Sequence, residues 1–166
     1  MLREFAESDF QILESWIADA NLLLQFSGTD FSFPITRKQI ADYHLQYPER
    51  RFYLGYTEED QPVAFGEIIP QSSGVPRLGR LLIGDPNLRG KGLGKYFVKL
   101  LVDECKLRFG TLKVELLVSN KNVAAISCYQ AVGFDYSPQK EKTLTVNNES
   151  FDIHRMTFTS ENDQHQ

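Results

Sequence analysis

Long hydrophobic runs are missing from this sequence. No stretch reaches the roughly 18 consecutive apolar residues of a membrane span, so no membrane partner is expected. Cysteine is scarce. Cys105 and Cys128 are the only two, without metal-ligand spacing, which excludes a disulfide framework and points to a reducing compartment. The three histidines, His44, His154 and His165, are scattered, so no metal role is assigned to them. Met1-Leu2-Arg3-Glu4-Phe5 lacks the apolar core of a signal peptide, and the expectation is a cytoplasmic protein. Surplus positive charge is also absent. Eighteen Lys and Arg face 22 Asp and Glu, a net charge of −4, which disfavours wholesale nucleic-acid binding. A local basic site remains compatible with that balance. Oligomeric state stays open between monomer and homodimer.

What is present is the composition of one soluble globular domain, 42% hydrophobic and 24% charged over 166 residues. The domain is expected over residues 1–159, followed by a polar, frayed tail at 160–166. A short strand is read at 2–5. Phe10, Leu13, Trp16 and Ile17 at helical spacing give a helix over 7–18. Residues 21–35 read as an aromatic-rich connection broken by Gly28 and Pro34. Thr36, with Gln39 three positions on, marks a capping box and a helix that Pro48 stops near Tyr47. Residues 51–57 and 62–69 form a hairpin pattern, and 78–83 is a third apolar run. A long helix starts near Gly90 and ends by Phe109, with Leu93, Phe97, Leu100, Leu101 and Cys105 on one face. A buried strand at 113–118, a helix at 123–131, and strands near 134–136 and 150–158 complete the chain. Three consecutive strands argue against a doubly wound fold. The fold class is α+β: a mixed, mostly antiparallel sheet with helices on both faces and one right-handed parallel crossover.

The most informative segment runs from Leu82-Ile83-Gly84 through Arg89-Gly90-Lys91-Gly92-Leu93-Gly94-Lys95. It is strand, loop, helix start. A helix start leaves backbone N–H groups unpaired and carries partial positive charge. Glycines let an oxyanion approach the backbone, and Arg89, Lys91, Lys95 and Lys99 add charge. A phosphate cradle is the expectation. Gly84 and Gly90 are one residue too far apart for a Walker loop, and Lys91 is followed by glycine. A dinucleotide fingerprint fails as well, since Lys95 stands where it needs glycine.

Arg89-x-x-Gly92-x-Gly94 resembles motif A of the GNAT superfamily of N-acetyltransferases. Asn122-x-x-Ala125-x-x-x-Tyr129-x-x-x-Gly133-Phe134 resembles its motif B. The likeness covers residues 2 to about 158 and is similar to the ribosomal-protein and aminoglycoside acetyltransferase branches. It implies that acetyl-CoA is co-substrate and that an amine of a small molecule or peptide is acceptor, with no metal. It further implies a sheet splayed between the strands at 78–83 and 113–118. The amides of Gly90, Lys91, Gly92, Leu93, Gly94 and Lys95, with Arg89, would hold the CoA pyrophosphate. The backbones of Leu82, Ile83 and Gly84 would pair with the pantetheine arm, with Leu82 N–H as oxyanion donor, and Asn122 would steady the arm.

The same resemblance casts Tyr129 as general acid toward the CoA sulfur; packing in an amphipathic helix is the plainer reading of that residue. The glutamate that many members carry before motif A is replaced here by Leu78. Glu67, in an otherwise apolar strand, is the next candidate base, or else a glutamate at a solvated edge. Arg80, expected to share a face with Leu78 and Leu82, would pair with Glu67 or an acceptor anion, or face solvent. The acceptor would lie against residues 21–35 and the loop at 137–148. Phe26, Asp30, Phe31 and Phe33 there would greet a cationic amine or simply pin the loop. A non-catalytic acyl-CoA-binding domain on the same fold is the alternative.

Overall fold

The computed structural model describes residues 1–161; the expected tail beyond Glu161 lies outside the described residues. Seven strands form one sheet. They are β1 (Leu2–Glu4), β2 (Arg51–Tyr56), β3 (Pro62–Ile69), β4 (Arg77–Ile83), β5 (Lys113–Ser119), β6 (Phe134–Val146) and β7 (Glu149–Thr159), in the order β1-β2-β3-β4-β5-β7-β6. All neighbours are antiparallel except β4 and β5. Helices α1 (Phe10–Trp16), α2 (Ala20–Ser27) and α3 (Arg37–Gln46) cover one face; α4 (Leu93–Phe109) and α5 (Val123–Val132) cover the other. The alternation of β3 feeds both cores. Ala64 and Ile68 pack under α4, while Phe65 packs with Phe10, Leu23 and Tyr43.

The expected connection at 21–35 is in fact half helix. Asp19 accepts a hydrogen bond from Leu22 N–H at 2.8 Å and starts α2, which Gly28 ends at φ 57°. The reading at 7–18 also changes: a 3-10 turn at Glu7–Asp9 precedes α1, which stops at Trp16. Thr36 caps α3 through Gln39 N–H at 3.2 Å, but only half of the capping box forms. The Gln39 amide turns to Ser32 and Pro34 instead, at 2.8–3.0 Å, and ties the preceding loop down. The segment at 137–148, expected as a loop, belongs mostly to a long β6–β7 hairpin. Its turn is Asn147-Asn148, both at positive φ (51° and 67°).

Candidate functional site

β4 and β5 are paired in parallel only at Arg77 opposite Glu115 and Leu78 opposite Leu116. Beyond Leu78 the two strands part. A bulge lies on the other edge of β4: Glu67 faces Gly79 and Phe65 faces Leu82, so Arg80 and Leu81 together oppose Gly66. Arg80 takes φ 50° to make this possible. The extra residue breaks the alternation. Leu78 packs under α4, Leu82 packs on the α1–α3 side, and Arg80 joins the latter face only. The expectation that Arg80 shares a face with both leucines is therefore corrected.

Past the bulge, Ala64 faces Ile83 and the Gly84 N–H donates to Val63 C=O at 3.0 Å. In an antiparallel ladder that pattern turns the Leu82 N–H and C=O toward β3, and those of Ile83 toward the opening beside β5. Leu82 and Gly84 thus spend their amides within the sheet, and Ile83 is the residue of the three whose amide faces the gap. Gly84 has a further structural duty. A Cβ there would sit 2.1 Å from the Trp16 ring, so glycine is required for Trp16 to lie against the strand end. Arg89 folds back to the same place, its guanidinium donating to Ile83 C=O at 3.3 Å.

The loop after β4 reaches α4 through a 3-10 turn at Pro86–Leu88. Gly90 (φ 76°) and Gly92 (φ 84°) both take the left-handed conformation, so α4 begins at Leu93, later than the expected start near Gly90. The first ladder bond of the helix is Tyr96 N–H to Gly92 C=O at 3.1 Å, leaving the amides of Leu93, Gly94 and Lys95 ahead of the ladder. A Cβ on Gly90 or Gly92 would meet no atom within 4 Å. These glycines are required by backbone conformation, and the space above them is open. Lys91 and Lys95 are exposed alongside, while Leu93 packs against the α4 core.

α5 lies against this helix start: a Cβ on Gly94 would be 3.5 Å from Cys128 Sγ. Asn122 caps α5, its Oδ1 accepting from Ala125 N–H at 3.2 Å. Tyr129 packs against the α4 core beside Phe134 (ring centroids 6.2 Å). Its hydroxyl forms none of the side-chain hydrogen bonds found among the described residues, and burial raises its pKa above the ordinary tyrosine value.

Glu67 is fully buried, on the α1–α3 side. Its Oε2 accepts from Tyr43 OH at 2.6 Å; Oε1 lies 3.5 Å from Arg80 Nε and 3.6 Å from where a Cβ on Gly79 would be. Burial raises the Glu67 pKa, against the opposing pull of Arg80 and the Tyr43 hydrogen bond. Tyr43 is pushed up to about 12 by burial and by Glu67. Its oxygen in turn accepts from Arg50 Nη1 at 2.9 Å, and the Arg50 guanidinium lies 3.8 Å from the Tyr47 ring centroid. Arg80 also donates to Asp30 at 2.6 Å. An open cleft of about 630 Å³ begins where β4 leaves β5, with Leu78, Gly79 and Leu117 at the parting and Glu67 in its wall.

A family model described as acetyltransferase (GNAT) family matches residues 16–134, well over half of the chain. The chain belongs to the GNAT acetyltransferase family. Solved structures share the fold. Spermidine N-acetyltransferase from Vibrio cholerae in complex with CoA and spermine superposes with a TM-score of 0.79 at 15% identity, over 96% of this chain and 95% of that one. A dodecameric form of the Vibrio cholerae enzyme gives 0.74 at 14% identity, over 99% and 96%. Aminoglycoside acetyltransferase AAC(6')-Ib in complex with coenzyme A gives 0.72 at 20% identity, over 96% and 94%.

For this GNAT chain the sequence-derived residues fall into two groups. Gly90 to Lys95 and Arg89 stand at the start of α4 beside Ile83, Tyr129 packs in the same core cluster as Leu93, and Asn122 stands at the head of α5. Glu67 stands on the opposite side of the sheet, bonded to Tyr43, and lines the cleft at the parting of β4 and β5, a cleft that none of the first group lines. Sequence reasoning missed Tyr43 and Arg50. Tyr43 looks like an ordinary apolar-face residue of α3, and no local pattern links it to a glutamate on β3. Of the expected acceptor aromatics, Phe26 and Phe31 are core residues, Phe33 is exposed, and Asp30 is engaged by Arg80. Among the described residues no group of three or more His, Cys, Asp or Glu is placed to hold a metal, and no helix is long and apolar enough to cross a membrane.

Proposed function

We propose that this chain transfers an acetyl group from acetyl-CoA to a primary amine, on a small molecule or a protein N-terminus, by direct attack with both substrates bound. The observation that carries the reading is a coincidence of place. The amide-rich, open start of α4 adjoins the Ile83 end of β4, on the stretch that has already separated from β5. A diphosphate suits the first, and an extended arm with free hydrogen-bonding groups suits the second. Acetyl-CoA supplies the activated acyl group as a thioester. Ile83 offers its gap-facing backbone to the pantetheine arm and to the developing oxyanion, replacing Leu82 in that role. Both cysteines are poor nucleophiles, since burial pushes the Cys105 thiol up to about 12 and raises that of Cys128. This supports direct attack over a covalent acyl-enzyme.

Tyr129 keeps its proton at neutral pH and donates it, first as a hydrogen bond, toward the sulfur as the carbon–sulfur bond breaks. Glu67 takes the proton lost by the attacking nitrogen, its raised pKa suiting the task. Its full burial, its hydrogen bond from Tyr43 and its ion pair with Arg80 favour a second reading, in which the fold binds acyl-CoA without transferring it.

Thiol release from acetyl-CoA, measured over a panel of amines beside CoA binding, decides between the two. Tyr129→Phe is expected to slow release by about 10²-fold, the usual scale for a lost proton donor, with little loss of CoA binding. CoA binding with no release from any amine would sustain the second reading.

A further inference from the structure

The cleft beside Glu67 has a charge pattern at odds with a polycationic acceptor. Its charged lining is Asp30, Glu67, Arg50, Arg77, Arg80 and Lys142. Both carboxylates already have Arg80 as counter-ion, hydrogen-bonded to Asp30 at 2.6 Å and ion-paired with Glu67 at 3.5 Å, where Oε1 keeps no hydrogen-bond partner. A second or third ammonium group on a substrate would find no free acid there. Two cations are in the reverse position. Arg50 and Lys142 take part in none of the salt bridges found among the described residues. The Arg50 guanidinium is fixed by the Tyr47 ring beneath it and by the bond from Nη1 to Tyr43 OH, while its Nη2 makes none of the side-chain hydrogen bonds found among the described residues. An oriented guanidinium with unsatisfied donors is a carboxylate or phosphate receptor. Arg77 adds charge to the same wall, although Glu115 holds it at 2.9 Å.

We propose that the acceptor is an amine that also carries its own anion, a carboxylate or a phosphate, with the amine set at Glu67 and the anion read by Arg50 and Lys142. This rests on the acetyltransferase reading and narrows its substrate. The amino group of such a compound enters beside Gly79, where the strands part and the acyl group must arrive. Its anion reaches across the cleft to Arg50 on the entry to β2 and to Lys142 on β6. The reaction balances without other reactants: the nitrogen–carbon bond forms, the carbon–sulfur bond breaks, and the proton leaving nitrogen matches the one gained by sulfur. Polyamines and aminoglycosides place further positive charge against Arg50 and Lys142, and like charges so close are unfavourable.

Matched acceptor pairs test the idea on the full chain: amino acids against their carboxamides, amino-sugar phosphates against the unphosphorylated sugars, with one polyamine and one aminoglycoside alongside. Thiol release gives kcat and KM for each. The anionic member of at least one pair is expected to exceed its neutral partner in kcat/KM by about tenfold or more, as for a hydrogen bond to a charged group. The two kinds of pair tell a carboxylate acceptor from a phosphate one. Lys142→Gln, at an exposed position, is expected to lower that preference through KM, and Arg50→Gln to lower it further, with KM for acetyl-CoA unchanged in both. A ratio at or below one, or a polyamine as the best acceptor, overturns the proposal. So does CoA binding, seen as a thermal shift, with no anionic amine acetylated. In that case the acetyltransferase reading stands if the polyamine or the aminoglycoside is acetylated instead. Absence of any CoA shift sinks the parent reading as well.

Discussion

Replacing Gly92 by alanine separates what the start of α4 does for stability from what it does for CoA. Gly92 sits at φ 84°, ψ −1°, a left-handed conformation that costs an L-residue about 1–2 kcal/mol. The new side chain also restricts the unfolded chain, which returns about 0.4–1 kcal/mol. No protein atom lies within 4 Å of the added Cβ, so there is no steric part to add. The net loss is about 1 kcal/mol, a fall in Tm of about 2–4 °C for a chain of this size. CoA binding is a separate matter. At 100 times its Kd a ligand stabilises the folded state by about 2.7 kcal/mol, and a 30-fold loss of affinity at the same concentration cuts that to about 0.9 kcal/mol. If a pyrophosphate lies over this amide, the methyl group occupies its place and the CoA-induced rise in Tm shrinks to that degree.

Gly110→Ala is the matched control. Gly110 ends the same helix at φ 60°, ψ 24°, also with nothing within 4 Å of an added Cβ. It is expected to lose the same stability and keep the whole CoA shift. Thermal denaturation of the three proteins with and without CoA reads both quantities. A Gly92→Ala protein that keeps the wild-type CoA shift would refute the placement of the pyrophosphate.

Other expectations concern the strand end, the proposed base and the acid limb of stability. Gly84→Ala drives a Cβ into Trp16 at 2.1 Å and should cost about 1–3 kcal/mol by overpacking, with a change in the emission of this single tryptophan. Glu67→Gln should slow transfer by about 10²-fold or more and remove its share of the acidic limb of the rate profile. Because burial raises the Glu67 pKa in the folded state, a wild-type rate that depends on Glu67 as base is expected to fall as pH drops through that raised value. Glu115 behaves in the opposite sense. Burial alone would raise it, but hydrogen bonds from Gln71 and Arg77 and the charge of Arg155 pull its pKa below the usual carboxylate range. The stability it contributes is present above the unfolded carboxylate pKa and disappears as pH falls through the lowered folded value. Glu115→Gln should lower Tm by about 6 °C at neutral pH, from a loss of about 2 kcal/mol, and by less in acid.

The sequence made the α4 start legible because every signal there is local. Glycines, cations and a preceding apolar run stand within one segment, and the physics of a helix N-terminus needs nothing more distant. The parting of β4 from β5 came through resemblance, and the strand pairing bears it out. The bulge at Arg80 was invisible: Arg80 carries no turn residue's signature, and its extra place appears only when β4 is aligned with β3. That hidden residue misdirected two readings, the face shared by Arg80 and the choice of Leu82 as the gap-facing amide. α2 was missed for another reason. Its aromatic Phe26 and the later Gly28 and Pro34 masked a helix announced only by Asp19 and the leucines after it. The β6–β7 hairpin hid behind a charged, alternating stretch whose Asn147-Asn148 turn is its one clear mark.

The same bulge explains how a carboxylate reaches the cleft although Leu78 stands where the family resemblance places a glutamate. With two residues of β4 opposing Gly66, Gly79 and Arg80 present themselves on the same face as Glu67, and Leu78 is turned under α4. At Gly79 there is no side chain to cover the neighbouring strand, and Glu67 Oε1 lies 3.6 Å from where one would begin. The absence of a Cβ at that point is what lets a carboxylate on β3 border a cleft that opens on the far edge of β4. Arg80, buried, hydrogen-bonded to Asp30 and ion-paired with Glu67, offsets part of the desolvation of the pair, and the Tyr43 hydrogen bond fixes the Glu67 carboxylate in the wall. A base supplied this way depends on one glycine. Gly79→Ser should leave the sheet intact, since only Ile69 Cδ1 at 3.3 Å is tight against a Cβ there, yet depress transfer by blocking the approach of the amine to Glu67. If Gly79→Ser transferred acetyl groups at the wild-type rate, the carboxylate would have to act from somewhere other than this wall.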